Sequence, residues 1–256
     1  MKRVLTGLVL IPIFVYIVIW SPIWVFFPTV AIVAMLLFHE FNGLVSAHNF
    51  RSSGIFGYVA GLLILFVPRP EIIFVVLVAL LALGLSLASR DLSEALPFSG
   101  ALMLGVLYCF GTMRTCIGLR DMSPYWLLFA LSLNWLGDIA AFYVGRSFGR
   151  HKLAPRVSPA KSWEGAIAST LMSVAYAYFY FPRLLPNVPL LWALGIAAAG
   201  NVAGQIGDLC ESAIKRGAGV KDSGTMLPGH GGWLDRVDSS LFALPVVYYI
   251  ASVIQR

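Results

Sequence analysis

The chain has 256 residues, of which 59% are hydrophobic and only 12% charged, against about 25% charged in a typical soluble domain. With a mean hydropathy of +0.84, this composition excludes a disordered chain. It also lacks the polar residues needed to coat a water-facing globule, so the sequence reads as an all-α polytopic integral membrane protein. The 18 Lys and Arg against 12 Asp and Glu leave a net charge of +6, which in a membrane protein encodes topology and does not imply a nucleic-acid partner. Cys109, Cys116 and Cys210 form no CxxC and no even set, which argues against a disulfide framework or a zinc site.

In chain order, Val4 to His39 contains no charged residue. That is too long for one span of about 20 residues, and Ser21-Pro22 near its middle predicts a helical hairpin, with a kink at Pro28. Lys2-Arg3 before this run imitates a signal peptide. The apolar run is too long for one and lacks a small-residue cleavage site, so a retained first helix is expected. Further apolar stretches follow at Ile55–Val67, Ile72–Ser89, Ala95–Met113, Tyr125–Gly145, Gly165–Phe181, Pro189–Gly207 and Ser239–Ile254. Together they predict about nine transmembrane helices, although Ile55–Val67 is short for a span. His39 and His48 fall in a short cytoplasmic loop on this reading. With the N-terminus inside, only Arg69, Arg114, Arg120, Arg183 and Arg256 of the 18 cations fall outside. The remaining thirteen lie on the cytoplasmic side, as the positive-inside rule requires.

Two cytoplasmic loops stand out. The first, from Asp138 to Gly165, contains five cations between Arg146 and Lys161, together with glycines and prolines. Glycine permits close backbone approach to a ligand and Lys or Arg neutralises phosphate, although a purely topogenic basic loop has the same charge. No GxxxxGK[ST] occurs, so a P-loop is not supported. The second loop, Gly207 to Asp238, alternates acids with bases. Acids at a membrane face point to a cation held by hard oxygen ligands, where solvated ion pairs would be the plainer explanation.

The helix entering the second loop weighs against that plainer explanation. Asn201, Gly204, Gln205, Asp208, Glu211, Ser212 and Lys215 recur every three or four residues. They predict one polar stripe that must face the bundle interior or a wet cavity and not lipid. Asp138, inside an apolar span, is a functional-site candidate for the same reason. Asp235 and Asp238 share a face at the start of the last helix, where N-capping would account for one of them. His230 sits among Gly229, Gly231 and Gly232, a tight-turn setting suited either to ligand contact or to structure alone.

The segment Ser212-x-Ile214-Lys215-Arg216-x4-Lys221-Asp222-x-Gly224-x2-Leu227-Pro228-x-His230-Gly231-Gly232-x2-Asp235-Arg236-Val237-Asp238 resembles the signature of the phosphatidate cytidylyltransferase (CDP-diacylglycerol synthase) family. The Asp138–Gly165 segment is similar to that family's other block, so the resemblance covers roughly the C-terminal half. Trp233 stands where the family usually has an aliphatic residue or Phe, and Ala160 where it often has Lys or Asn; neither position carries a charge needed for metal binding.

The resemblance implies transfer of the cytidylyl group from CTP to phosphatidate, giving CDP-diacylglycerol and pyrophosphate during phospholipid biosynthesis. It also implies a polar cavity facing the cytoplasm, a cell inner membrane location, Mg²⁺ dependence with K⁺ as a second cation, and a homodimer. Asp208 and Asp235 would then be metal ligands, with Asp138, Glu211 and Asp238 as additional ligands or as partners that orient the ligands. Lys215, Arg216, Lys221 and Arg236 would hold phosphates, with Asp222 and His230 beside them, and Ser158, Lys161 and Ser162 would cradle substrate from the first loop. Residues 1–120 would form a membrane scaffold and 121–256 the catalytic region. A secondary transporter coupled through Asp138 and Asp208 is an alternative, although no inverted repeat is visible. A lipid or polyprenol kinase and a non-catalytic scaffold are others.

Overall fold

The computed structural model describes residues 12–67, 72–89, 91–227, 229 and 231–255. Residues 12–19 are helical, the chain breaks at 20–22, and α1 runs Ile23–Ala47 with Pro28 inside it. The expected hairpin break is thus present. Residues 1–11 lie outside the described part. α2 (Gly54–Phe66) and α3 (Ile72–Ser86) follow. A 3₁₀ turn at Leu92–Glu94, α4 (Ala95–Gly105), a π-helical segment at Val106–Gly111 and α5 (Thr112–Met122) then form one continuous helical run. α6 (Pro124–Phe148), a two-stranded hairpin of β1 (Lys152–Ala154) and β2 (Ser158–Ser162), α7 (Trp163–Leu184), α8 (Leu190–Gly217) and α9 (Leu234–Ile254) complete the chain.

The protein is therefore an all-α integral membrane protein with one small hairpin. Among the described residues, five helical runs are long and apolar enough to cross a bilayer: Ile23–Ala47, Leu92–Met122, Pro124–Phe148, Leu190–Gly217 and Leu234–Ile254. Hydropathy alone predicts about nine. α2 and α3 have 13 and 15 residues, or about 20 Å of helix each, short of a core of about 30 Å. α7 has the length, but its Ser, Thr and Tyr residues dilute its apolar run. Two further expectations are corrected. His39 lies within α1 and not in a loop, because that helix continues past the charge-free run to Ala47. Arg114 and Arg120, placed in an outer loop by hydropathy, lie on the helical run that ends at Met122.

The chain forms two compact units: Met1–Phe26, Thr115–Ala213 and Val237–Arg256 in the first, and Phe27–Arg114 with Ile214–Arg236 in the second. In the first, α6 and α7 pair extensively around an aromatic cluster. Phe129 lies 4.7 Å from Phe181 in an edge-on arrangement, and Trp126 lies 5.3 Å from the same ring. The two tyrosine hydroxyls of this cluster are satisfied, as buried Tyr requires: Tyr180 Oη donates to the Tyr125 carbonyl at 2.7 Å and Tyr176 Oη meets Ser132 Oγ at 2.8 Å, whereas the buried Trp126 Nε1 has no hydrogen-bond partner among the described residues. Arg120 caps the chain break, its Nε donating to the Val18 carbonyl at 3.0 Å and its Nη2 to the Ser21 carbonyl, with the guanidinium 4.1 Å over the Phe26 ring.

In the second unit, Phe38, Phe41, Tyr108 and Phe110 form the core. Small residues let the helices approach closely, as is usual between membrane helices. A Cβ on Gly61 would enter the Phe110 ring, and one on Gly105 would lie 2.6 Å from Phe41. Arg114 Nη1 donates to the Leu65 carbonyl at 2.7 Å, a cation at the C-terminus of α2 where the helix dipole favours it.

Candidate active site

The first unit contains a pocket of about 590 Å³. α6 contributes Asn134, Asp138, Phe142, Gly145 and Arg146 to it, residues spaced to share one helix face. The hairpin contributes Lys152, Ala160, Lys161 and Ser162, and α7, α8 and α9 add Ser169, Gln205, Asp208 and Ser239. The basic loop is thus an antiparallel hairpin with Lys152 opposite Ser162 and Ala154 opposite Ser158. Its turn is closed by the Val157 N–H donating to the Ala154 carbonyl at 3.2 Å, with Pro155 at the position that pre-sets the turn.

The base of the hairpin is fixed twice. Ser162 caps α7, its Oγ accepting from the Gly165 N–H at 3.2 Å. Glu164 accepts from the His151 backbone N–H at 3.2 Å and meets its ring Nδ1 at 2.7 Å. Together with its own backbone N–H, the largest cause, these contacts hold the Glu164 carboxyl down at about 2.

The polar stripe faces inward as its periodicity predicts. Asn201 is 1% exposed; its Nδ2 donates to Ser169 Oγ at 3.0 Å, and its Oδ1 accepts from Thr170 Oγ1 at 3.0 Å and from Gln205 Nε2 at 2.6 Å. Gln205 Nε2 also reaches the Ala166 carbonyl at 3.1 Å. The glycines in this layer make room for amides: a Cβ on Gly204 would lie 2.5 Å from Asn134 Oδ1, and one on Gly137 would lie 2.6 Å from Asn201 Nδ2. Asn134 Nδ2 is buried and has no hydrogen-bond partner among the described residues, although its side chain lines the pocket. A buried donor of that kind favours a ligand acceptor.

One turn further along α8, Asp208 forms an ion pair with Lys161 of the hairpin, both side chains partly open, and accepts from Ser212 Oγ at 3.3 Å. Asp138 lines the same pocket. Two carboxylates and the cations Arg146, Lys152 and Lys161 therefore share one recess. Glu211 is fully buried, and Asp238 Oδ1 accepts from the Ser239 N–H at 2.7 Å. Ser158 does not line the pocket.

The remaining sequence candidates belong to the second unit. Lys215 Nζ donates to Asp235 Oδ1 at 2.5 Å, and both side chains are nearly buried. Asp235 Oδ2 accepts from the Ser223 N–H at 2.9 Å, Ser223 Oγ at 3.0 Å and the Gly232 N–H at 2.8 Å. Gly231 has φ +78°, and a Cβ there would lie 2.7 Å from that same oxygen. The loop glycine thus supplies both the left-handed turn and the space that Asp235 needs. Arg216 donates to the Val220 carbonyl at 3.1 Å. Lys221, Asp222 and Arg236 are exposed. His230 lies outside the described residues.

Capping does not account for Asp235. The N–H groups at the start of α9, that of Leu234 and that of Trp233 just before it, are taken instead by Glu40 of α1, a residue no motif singles out. Glu40 Oε1 accepts from the Trp233 N–H at 2.9 Å and Oε2 from the Leu234 N–H at 2.8 Å. Its only sequence signal was an acid at the end of a long charge-free run, continuing the same helix.

Among the described residues no group of three or more His, Cys, Asp or Glu is placed to hold a metal ion by itself. The donor set in the pocket, two carboxylates beside several cations, still suits Mg²⁺, which characteristically takes one or two protein carboxylates and completes its shell with substrate phosphates and water.

The model of the Cytidylyltransferase family matches residues 1–254. Proteins named phosphatidate cytidylyltransferase are similar to this chain. That of Staphylococcus aureus (strain COL) is 35% identical over 222 residues, 83% of this chain and 80% of that protein. That of Thermotoga maritima is 35% identical over 177 residues, 66% of this chain and 65% of that protein. The Bacillus subtilis (strain 168) protein is 38% identical over 158 residues, so the matched stretch, 60% of this chain, spans 58% of that relative. With nearly its whole length matched and its two polar loops built around acids and phosphate-compatible cations, this chain belongs to the cytidylyltransferase family.

Proposed function

We propose that the protein is a phosphatidate cytidylyltransferase: a phosphate oxygen of phosphatidate attacks the α-phosphorus of CTP, the bond to the β-phosphate breaks, and pyrophosphate leaves. The observation that carries this reading is the single pocket that combines Asp138 and Asp208 with Arg146, Lys152 and Lys161. The phosphatidate brings its own nucleophile, so the protein needs to position two phosphate groups and neutralise their charge. Arg146 from α6 and Lys152 and Lys161 from the hairpin do the second. Asp138 and Asp208 would hold Mg²⁺, which supplies charge stabilisation at the transferring phosphoryl group; K⁺ as a second cation belongs to the same proposal.

Lys161 is paired with Asp208. Were a cation held at the Asp208 carboxylate, the Lys161 ammonium would be available to a phosphate, which would link metal and nucleotide binding. Asp235, Asp238 and Glu211 are the further acids of the proposal. Lys215, Arg216, Lys221, Arg236, Asp222 and His230 are candidate substrate contacts of the second loop, and Ser158 and Ser162 of the first. The proposal also takes the pocket to open on the cytoplasmic side of an inner membrane, as the charge asymmetry supports. Residues 1–120 act mainly as scaffold and 121–256 carry the chemistry, within a bundle of about nine helices. Wide apolar faces on α2 and α3, including Ile55, Phe56, Ile72 and Leu80, suit lipid or a second copy in a homodimer.

The test is purified protein in micelles containing phosphatidate, supplied with Mg²⁺ and CTP. The expected products are pyrophosphate and a CDP-lipid, with no replacement of CTP by ATP. ATP consumption with a phosphorylated lipid as product would establish a kinase instead.

A further inference from the structure

Glu40 lies in α1, within a helix whose preceding residues carry no charge, and it is 3% exposed. A carboxylate in such a place is costly unless it is hydrogen-bonded. Among the described residues, its bonds go to one segment, the loop between α8 and α9 and the start of the helix that follows. Oε1 takes the Trp233 N–H; Oε2 takes the Leu234 N–H and Ser223 Oγ, at 2.9 Å.

The loop is shaped around this carboxylate. A Cβ on Gly224 would lie 2.7 Å from Oε1, and one on Gly232 would overlap Oε2 and Ser223 Oγ. Two glycines of the segment therefore mark the space the carboxylate occupies. Ser223 Oγ is at the same time 3.0 Å from Asp235 Oδ2. The single Ser223 hydroxyl proton thus lies between Glu40 Oε2 and Asp235 Oδ2 and is shared by the two carboxylates, and Gly232, whose N–H binds Asp235, is pressed against Glu40 itself.

We infer that Glu40 is a positioning residue for the reaction: it fixes the start of α9 and, through Ser223 and Gly232, sets where Asp235 presents its carboxylate. The inference rests on the cytidylyltransferase reading for its functional consequence and on the geometry alone for its structural one. Glutamine at position 40 would keep the volume, but one of its two ends is an NH₂, which opposes a backbone N–H where the carboxylate accepted one. A displacement of the kind that follows has a large effect when the chemistry is positional, on the order of 10²-fold.

The experiment compares wild type, Glu40→Gln and Ser223→Ala in detergent by CTP-dependent CDP-lipid formation, melting curve and amide hydrogen exchange. Glu40→Gln is expected to lower kcat by about 10²-fold with KM for CTP little changed. Exchange should rise at Ser223, Gly232, Trp233 and Leu234 and stay unchanged in α6 and α7. Ser223→Ala, which removes only the hydroxyl link and leaves the cap, should lose less activity and keep the wild-type melting point. Wild-type turnover in Glu40→Gln, or unchanged exchange in the loop, would overturn the inference. So would a lowered melting point with normal kcat in the surviving fraction, which marks a purely structural role. Should Glu40→Gln fail to fold, Ser223→Ala decides: reduced kcat in a stable protein supports the inference, and full kcat overturns it. A wild type that forms no CDP-lipid would instead refute the functional reading, and the exchange measurement would still judge the positioning.

Discussion

Replacing Asp208 by Asn separates a structural carboxylate from a chemical one, because the two effects differ in size. The structural contribution is bounded by the Lys161–Asp208 pair, whose side chains are 25% and 31% exposed. Open to water in the pocket, such a pair is worth about 0–1 kcal/mol. For a chain of this size that shifts Tm by roughly 4 °C at most. Ser212 Oγ, at 3.3 Å from Asp208, keeps an acceptor in Asn. The chemical contribution is larger: losing one electrostatic contact to the transition state costs about 10²–10³ in kcat, or about 2.7–4 kcal/mol. Asp208→Asn is therefore expected to melt within a few degrees of wild type, lose at least 10²-fold in turnover and weaken its dependence on Mg²⁺. Pyrophosphate release titrated against Mg²⁺, alongside a detergent melting curve, reads both. Turnover within a few-fold of wild type at saturating Mg²⁺ would remove Asp208 from the metal site. A collapsed Tm with normal activity in the folded fraction would reduce the pair to an ion pair. The same series on Asp138 and Asp235 tests them as ligands in their own right.

Gly204→Ala drives a methyl group into the Asn134 amide and should destabilise by about 1–3 kcal/mol, read as a lowered melting point; an unchanged Tm would mean that the buried amide layer yields freely. For orientation, single cysteines at His151 and Arg183 in a Cys-free background should behave oppositely in intact cells: an impermeant maleimide should label position 183 and spare 151, and the reverse pattern would invert the topology. Glu164 titrates at about 2, below the usual carboxylate value of about 4.3, so its clamp on His151 contributes fully above the unfolded value and is lost as pH falls toward the folded one. The gap in melting point between wild type and Glu164→Gln should be constant near neutrality and shrink as pH falls below about 4; a gap that persists at lower pH would show that the carboxylate charge plays no part.

Periodicity in the sequence was enough to assign the inward face of α8. A stripe repeating every three or four residues can face only one way from a helix, and lipid rejects amides and carboxylates. Asn201, Gln205 and Asp208 accordingly turn toward α6, α7 and the hairpin. The same local logic located the break before Pro22, the inward claim of Asp138 and the basic loop, while the fixed spacing of the second loop identified the family. Hydropathy could not set the span count, because it averages over length: it merged Arg114 and Arg120 into a loop when each is hydrogen-bonded to a backbone carbonyl at the end of another helix.

What only the tertiary structure decided is pairing across sequence distance. Lys161 meets Asp208, and Glu40 meets Leu234 across 194 positions. A carboxylate's partners are chosen by which backbone N–H groups arrive unsatisfied beside it once helices have docked, and no residue pattern within α1 specifies that arrival. The sequence offered Asp235 as one more acid at a helix start. The fold shows that the start is capped from elsewhere, leaving Asp235 held by Lys215, Ser223 and Gly232.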